Sequence, residues 1–236
     1  VVEDSSSADR SSVGPAGSSV TSPADGQVSP AAPGALATSG PRLLVFGDSV
    51  AAGAGSPTPP SSSFAYDLGE QLGWGTAVNA VSGTGYVNKG SAPGLDLSYG
   101  ARLEALPDSG LAADVVVVEG GLNDRGVPAD QLAAAATRFL QSLRARAPMA
   151  QLVVVGAIAP DPGDPTSTAE FTEVNAALST VAAQQNVTFI DPVAEQWFTP
   201  QNSAAYIAPD RLHPTQAGHA YIATLLSDHL RGLTRG

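Results

Sequence analysis

Five short apolar runs punctuate the chain, at residues 43–46, 77–81, 115–118, 152–158 and 187–190, and the stretches between them carry helical spacing or turn chemistry. In 62–72, Phe64, Leu68 and Leu72 fall four apart on one helical face. Pro128 opens an alanine-rich helical stretch to about residue 146, where the missing N–H of proline costs little. Residues 168–185 and 214–233 read as two further helices. Connections this long cannot close hairpins, so successive strands must run parallel through helical crossovers. The run 115–118 is valine throughout, as a central strand covered on both faces requires. These features predict an α/β fold, a three-layer α/β/α sandwich around a five-stranded parallel sheet. No internal repeat is visible.

The first 40 residues obey a different rule. They are Ser, Ala, Gly and Pro with scattered charge and no periodicity, too poor in apolar surface to offset the entropy of ordering. We expect a disordered linker over 1–40 and one folded domain over 41–236. A tether of this composition suits an exported or membrane-attached protein, so a secreted or cell-envelope location is expected. The chain begins at Val1 without an initiator methionine, so a removed preceding segment is also expected. With 22 acidic against 11 basic side chains and a net charge of -11, no nucleic-acid partner held through phosphates is expected. The absence of cysteine excludes disulfides, thiolate catalysis and cysteine-ligated zinc. No His/Asp/Glu set has metal spacing, so neither metal nor cofactor is expected. No apolar run is long enough to span a bilayer, and a monomer is expected.

Chemistry concentrates just past the predicted strand ends, where open α/β sheets bind ligands. The first run stops at Gly47, and Ser49 follows in Gly47-Asp48-Ser49, either as a nucleophile or as a helix-capping serine. A serine nucleophile needs a base, a group to orient that base, and oxyanion donors. Three histidines are available. His229, beside Ser227, Asp228 and Arg231, reads as a solvated helix-terminal residue, and His219 as a packing or surface residue inside the last helix. His213 lies in Asp210-Arg211-Leu212-His213 ahead of Pro214, where Asp210 can hold one imidazole nitrogen while the other faces outward. Candidate donors are Gly83, in Ser82-Gly83-Thr84-Gly85, and Asn123, in Gly120-Gly121-Leu122-Asn123-Asp124. The Gly-rich loop 82–100 is long enough to be functional or mobile. Asp48 and Asp124 are expected to fix local turns. Tyr86, Tyr99, Trp197, Phe198 and Tyr206 either line a pocket or pack the structure.

Competing motifs fail. Gly47-Asp48-Ser49-Val50-Ala51 lacks the second glycine of Gly-x-Ser-x-Gly, no third glycine completes a dinucleotide fingerprint after Gly53 and Gly55, and Lys89 has no P-loop around it.

The ordered set of Ser49 in Gly-Asp-Ser, Gly83 in Ser-Gly, Asn123 in Gly-Leu-Asn-Asp and His213 in Asp-Arg-Leu-His resembles the SGNH hydrolase family, the GDSL esterases and lipases. Val50 stands where the family shorthand has leucine. The resemblance covers about 41–236 and implies an SGNH/flavodoxin-like fold. It implies a triad of Ser49, Asp210 and His213, with the Ser49 N–H, Gly83 and Asn123 binding the oxyanion. The activity implied is a serine esterase acting on a small-molecule or carbohydrate ester through an acyl-enzyme. An O-acyltransferase passing the acyl group to or from a sugar hydroxyl is the alternative, and a non-catalytic binding module of the same fold is disfavoured by the complete residue set.

Overall fold

The computed structural model describes residues 40–233. Apart from Gly40, the expected linker lies outside the described residues. Strands β1 (Arg42–Gly47), β2 (Gly75–Ala80), β3 (Val115–Glu119), β4 (Gln151–Val155) and β5 (Thr188–Ile190) form one sheet in the order β2-β1-β3-β4-β5, every pairing parallel. The helices are α1 (Phe64–Leu72), α2 (Tyr99–Ala105), α3 (Ala129–Arg146), α4 (Pro165–Gln184), α5 (Ser203–Tyr206) and α6 (Gln216–Leu233). α1 packs on α6, while α2, α3 and α4 pack in series, so that the sheet is sandwiched between two helical layers as expected.

The layers follow from which faces are apolar. Every residue of β3 is buried, and β2, at the sheet edge, is half-buried along its whole length. On α3, Leu132, Ala136, Phe139, Leu140 and Leu143 form one buried stripe at helical spacing. Phe139 meets Phe46, Tyr86 and Tyr99, an aromatic cluster with centroids 4.9 to 5.9 Å apart. Each such buried side chain contributes about 1.5–3 kcal/mol. Tyr86, Tyr99, Trp197 and Phe198 are thus core residues, and Tyr206 stacks on Tyr221.

Several boundaries differ from the sequence reading. α4 starts at Pro165 because Asp164 caps it, its carboxylate accepting from Thr166 N and Ser167 N at 3.0 and 3.3 Å. α6 starts after Pro214, which is engaged in a bridge with Ile207. β4 stops at Val155, where Asn175 replaces a strand partner: its Oδ1 accepts from Ala157 N at 2.7 Å and its Nδ2 donates to Ala157 O at 3.1 Å. The expected loop 82–100 gives way at its end to α2, seven residues long and too short for periodicity to reveal.

The strand order reverses between β1 and β3, whose carboxyl ends lie side by side. Ser49 follows β1 and Asn123 follows β3, so both open onto the crevice at this switch point.

Candidate active site

Beyond β1 the chain turns at once into a helical turn, with Ala52 N donating to Asp48 O at 3.0 Å and Ala54 N to Ser49 O at 2.9 Å. Gly47 is required here, since a Cβ on it would lie 2.6 Å from Ala51 Cβ and 2.9 Å from Glu119 Oε2. The turn presents Ser49 Oγ 3.0 Å from His213 Nε2. On the far side of the ring, His213 Nδ1 lies 2.7 Å from Asp210 Oδ2. Asp210 Oδ1 also accepts from Leu212 N and His213 N, at 2.9 and 3.0 Å, so one carboxylate fixes both the turn and the imidazole. Partial burial acts to raise the Asp210 carboxyl, but hydrogen bonds from His213 N–H, the His213 ring and Leu212 N–H outweigh it and hold the group below its usual value. An ionised Asp210 needs a proton on Nδ1, which leaves the Nε2 lone pair facing the serine hydroxyl.

The loop after Ser49 closes against this turn. Gly55, at φ +87, would with a Cβ meet Pro214 O at 2.3 Å and His213 Cβ at 2.9 Å. His219 secures the same loop from α6: Phe64 N donates to its Nδ1 at 3.3 Å, so its Nε2–H donates to Ala54 O at 3.0 Å. Burial lowers its pKa. His219 is therefore a packing residue, one of the two readings left open. His229 is exposed near the end of α6, as expected, and pairs there with Glu195 Oε2 at 2.9 Å.

Opposite the histidine lie the candidate donors. Among the described residues, neither the Ser49 N–H nor the Gly83 N–H donates to a protein acceptor. Gly83, at φ +75, belongs to a loop fastened by Asp124, whose carboxylate accepts from Tyr86, Val87 and Asn88 N–H at 2.7, 3.0 and 2.9 Å. Gly85 must lack a side chain, because a Cβ there would lie 2.3 Å from Asp124 Oδ2. Asn123 Nδ2 donates to Thr84 O at 2.9 Å and to Asp48 Oδ2 at 3.1 Å. Asp48 Oδ1 accepts from Val50 N at 2.9 Å. Asp48 thus fixes its local turn, as expected, whereas Asp124 anchors the distant Gly83 loop rather than its own turn.

Beneath the serine turn the electrostatics are unusual. Asp48 is fully buried, and chiefly by desolvation its carboxyl is pushed up to about 7. Glu119, also fully buried, is raised well above the usual carboxylate range by desolvation and then by Asp48. The Asp48 and Ala51 N–H groups approach Glu119 and offset part of this, but neither Oε has a partner with hydrogen-bond geometry. Sequence reasoning missed Glu119 and Gly55. An acidic residue ending an all-valine strand was the available signal for the first. Among the described residues no group of three His, Asp or Glu side chains has the arrangement to hold a metal ion.

Residues 45–221 match the model of the GDSL-like lipase/acylhydrolase family. The chain belongs to that family. It is 33% identical over 120 residues to a GDSL lipase of Mycobacterium tuberculosis, a match spanning 50% of this chain and 48% of that relative. Its fold is similar to a carbohydrate esterase family 2 enzyme of Corynascus thermopiles, with TM-score 0.69, 20% identity, and coverage of 87% of this chain and 69% of the other. A carbohydrate acetylesterase of Sinorhizobium meliloti is also similar, with TM-score 0.62 and 18% identity over 82% of this chain and 100% of the other. Among the described residues no helix is long and apolar enough to cross a membrane.

Proposed function

We propose that the protein is a serine esterase that cleaves a carboxylic ester, on a small molecule or an acylated carbohydrate, through an acyl-enzyme on Ser49. The observation that carries this reading is the hydrogen-bonded line from Ser49 Oγ through the His213 ring to Asp210, at 3.0 and 2.7 Å. His213 Nε2 takes the hydroxyl proton as Oγ attacks the carbonyl, and returns it to the leaving alcohol as the tetrahedral adduct collapses. Water, deprotonated by the same nitrogen, then releases the acid. The Asp210 carboxylate stabilises the imidazolium in both halves.

The negative charge on the former carbonyl oxygen falls to the free Ser49 and Gly83 N–H groups and to Asn123 Nδ2. An oxyanion must compete with Asp48 and Thr84 O for the Asn123 amide protons. Asp48, whose carboxyl burial pushes up to about 7, holds its charge less readily at neutral pH, so it is a weaker competitor and a weaker source of repulsion than an ordinary aspartate. The carbohydrate side of the proposal draws support from the carbohydrate esterases of similar fold. The composition of residues 1–40 supports a secreted or envelope-associated setting, which cell fractionation tests.

A panel of nitrophenyl esters from acetyl to palmitoyl, run beside acetylated polysaccharide and with Ser49→Ala as control, tests the activity. Release of acid from at least one ester by wild type and not by Ser49→Ala is expected. Equal rates for the two proteins exclude the mechanism, and acyl transfer to an added sugar alcohol without net hydrolysis redefines the enzyme as an acyltransferase.

A further inference from the structure

Arg102, on α2, is 7% exposed, and each of its five N–H bonds ends on an oxygen. Nε donates to Leu97 O at 3.0 Å, Nη1 to Asn79 O at 2.9 Å and to Asn79 Oδ1, and Nη2 to Gly47 O at 2.8 Å and Thr84 Oγ1 at 3.3 Å. The guanidinium lies over the Phe46 ring at 4.4 Å and the Tyr99 ring at 5.0 Å. All five acceptors are neutral, and among the described residues no carboxylate comes within ion-pair distance of Arg102. A buried cation outside direct ion-pair contact is costly; here the Asp48 carboxyl acts on it at longer range, and the rigid fork satisfies every donor at once.

The acceptors belong to separate parts of the chain that meet behind the proposed oxyanion pocket. Gly47 lies two residues before Ser49, Thr84 directly follows Gly83, and Asn79 lies at the end of β2. Thr84 O is in turn the acceptor for Asn123 Nδ2 at 2.9 Å. Each of the three proposed donors is therefore a short link from one buried guanidinium.

We propose that Arg102 is a positioning residue for the oxyanion pocket, its fork setting the spacing between the Ser49 turn and the Gly83 loop and, through Thr84, the placement of Asn123. The inference rests on the reading of Ser49, Gly83 and Asn123 as oxyanion donors. A lysine keeps the charge but offers a single ammonium that cannot bridge acceptors spread over Gly47, Asn79, Thr84 and Leu97. Misplacing a catalytic group by about 1 Å costs on the order of 10² in rate.

The test measures kcat and KM for nitrophenyl acetate with wild type, Arg102→Lys, Thr84→Val and Ser49→Ala. Active sites are counted by titration to completion with a nitrophenyl phosphonate. Arg102→Lys is expected to lose roughly 10²-fold in kcat per titrated site with KM within about 3-fold. Thr84→Val keeps Arg102 but removes one of its acceptors, together with the hydroxyl's own bond to Val81 O at 2.7 Å, and a loss of about 10-fold in the same parameter is expected. A residue that only supports the fold reduces the number of titrated sites and the melting temperature, but leaves kcat per site unchanged. If Ser49→Ala is inactive while Arg102→Lys and Thr84→Val keep wild-type kcat per site, the pocket stands and the role of Arg102 is overturned. If Ser49→Ala turns over normally, the pocket reading fails and the inference fails with it. Should Arg102→Lys not fold, Asn79→Ala, which removes an Arg102 acceptor and, among the described residues, no other side-chain bond, is read beside Thr84→Val, and wild-type kcat per site in both overturns the role.

Discussion

Replacing Asp210 by asparagine changes the triad turn by one charge and almost no volume. The Asn oxygen can still accept from Leu212 N and His213 N, so the turn keeps its two backbone contacts. What changes is the partner of His213 Nδ1. With charge centres about 4 Å apart, the carboxylate stabilises an imidazolium by about 4 kcal/mol at an effective dielectric of 20, and by about 1 kcal/mol in water. Asp210 is 48% exposed and His213 20%, so solvent screening reduces the benefit to about 2 kcal/mol, a factor of roughly 30 in rate. The amide adds a second penalty. Its NH2 donates to Nδ1 and drives the ring proton onto Nε2, where it faces Ser49 instead of accepting the hydroxyl proton, and in triads this exchange brings the total loss to about 10⁴. The expected outcome for Asp210→Asn is a kcat lowered 10² to 10⁴-fold, with KM little changed and a melting temperature near wild type at pH 7. Steady-state hydrolysis of nitrophenyl acetate measures the first and circular dichroism the second. A variant that keeps more than a tenth of wild-type kcat while His213→Ala is inactive would show that Asp210 does not orient the base.

Other expectations follow from the same geometry. Above about pH 4 the unfolded chain ionises Glu119 while the folded chain keeps its proton, so this residue makes stability fall as pH rises. Glu119→Gln should therefore melt increasingly above wild type between pH 5 and 8 in differential scanning fluorimetry, and a pH-independent difference would show that Glu119 is ionised in the fold. His219→Ala leaves Phe64 N–H and Ala54 O without partners beside a cavity, a loss of about 2–4 kcal/mol in urea melts. Its kcat at low temperature should stay within about 10-fold of wild type, since the base is His213. Asp124→Ala strips the acceptor from three N–H groups of the Gly83 loop, so about 3 kcal/mol or more of stability and much of kcat should be lost together. Full activity in that variant would mean the loop does not depend on its anchor.

What sequence made legible was whatever depends on local pattern. The valine run 115–118 and the long crossovers led to β3 at the centre of a parallel sheet, and Ser49, Asp210 and His213 were readable because each lies in a short motif beside a strand end or a helix start. Arg102 was not readable. Its partners at 47, 79, 84 and 97 come together only through tertiary folding, and α2 carries no periodic signal. Glu119 lies between the valine run and the Gly-rich turn and drew no reading, because its burial depends on β1 and the Ser49 turn packing over it. The need for glycine at 55 likewise arises from the triad turn, more than 150 residues away in sequence. Asn123 was expected to aim an amide into the crevice, but its engagement with Asp48 and Thr84 O is set by three segments at once.

The central claim is that Ser49 is the nucleophile, and covalent capture tests it most directly. Incubating the protein with a nitrophenyl phosphonate and mapping the adduct by peptide mass spectrometry should give one modification, on Ser49. It should be absent from Ser49→Ala and slowed by at least about 10²-fold in His213→Ala. Stoichiometric labelling of Ser49→Ala, or an adduct on another residue of wild type, would contradict the account.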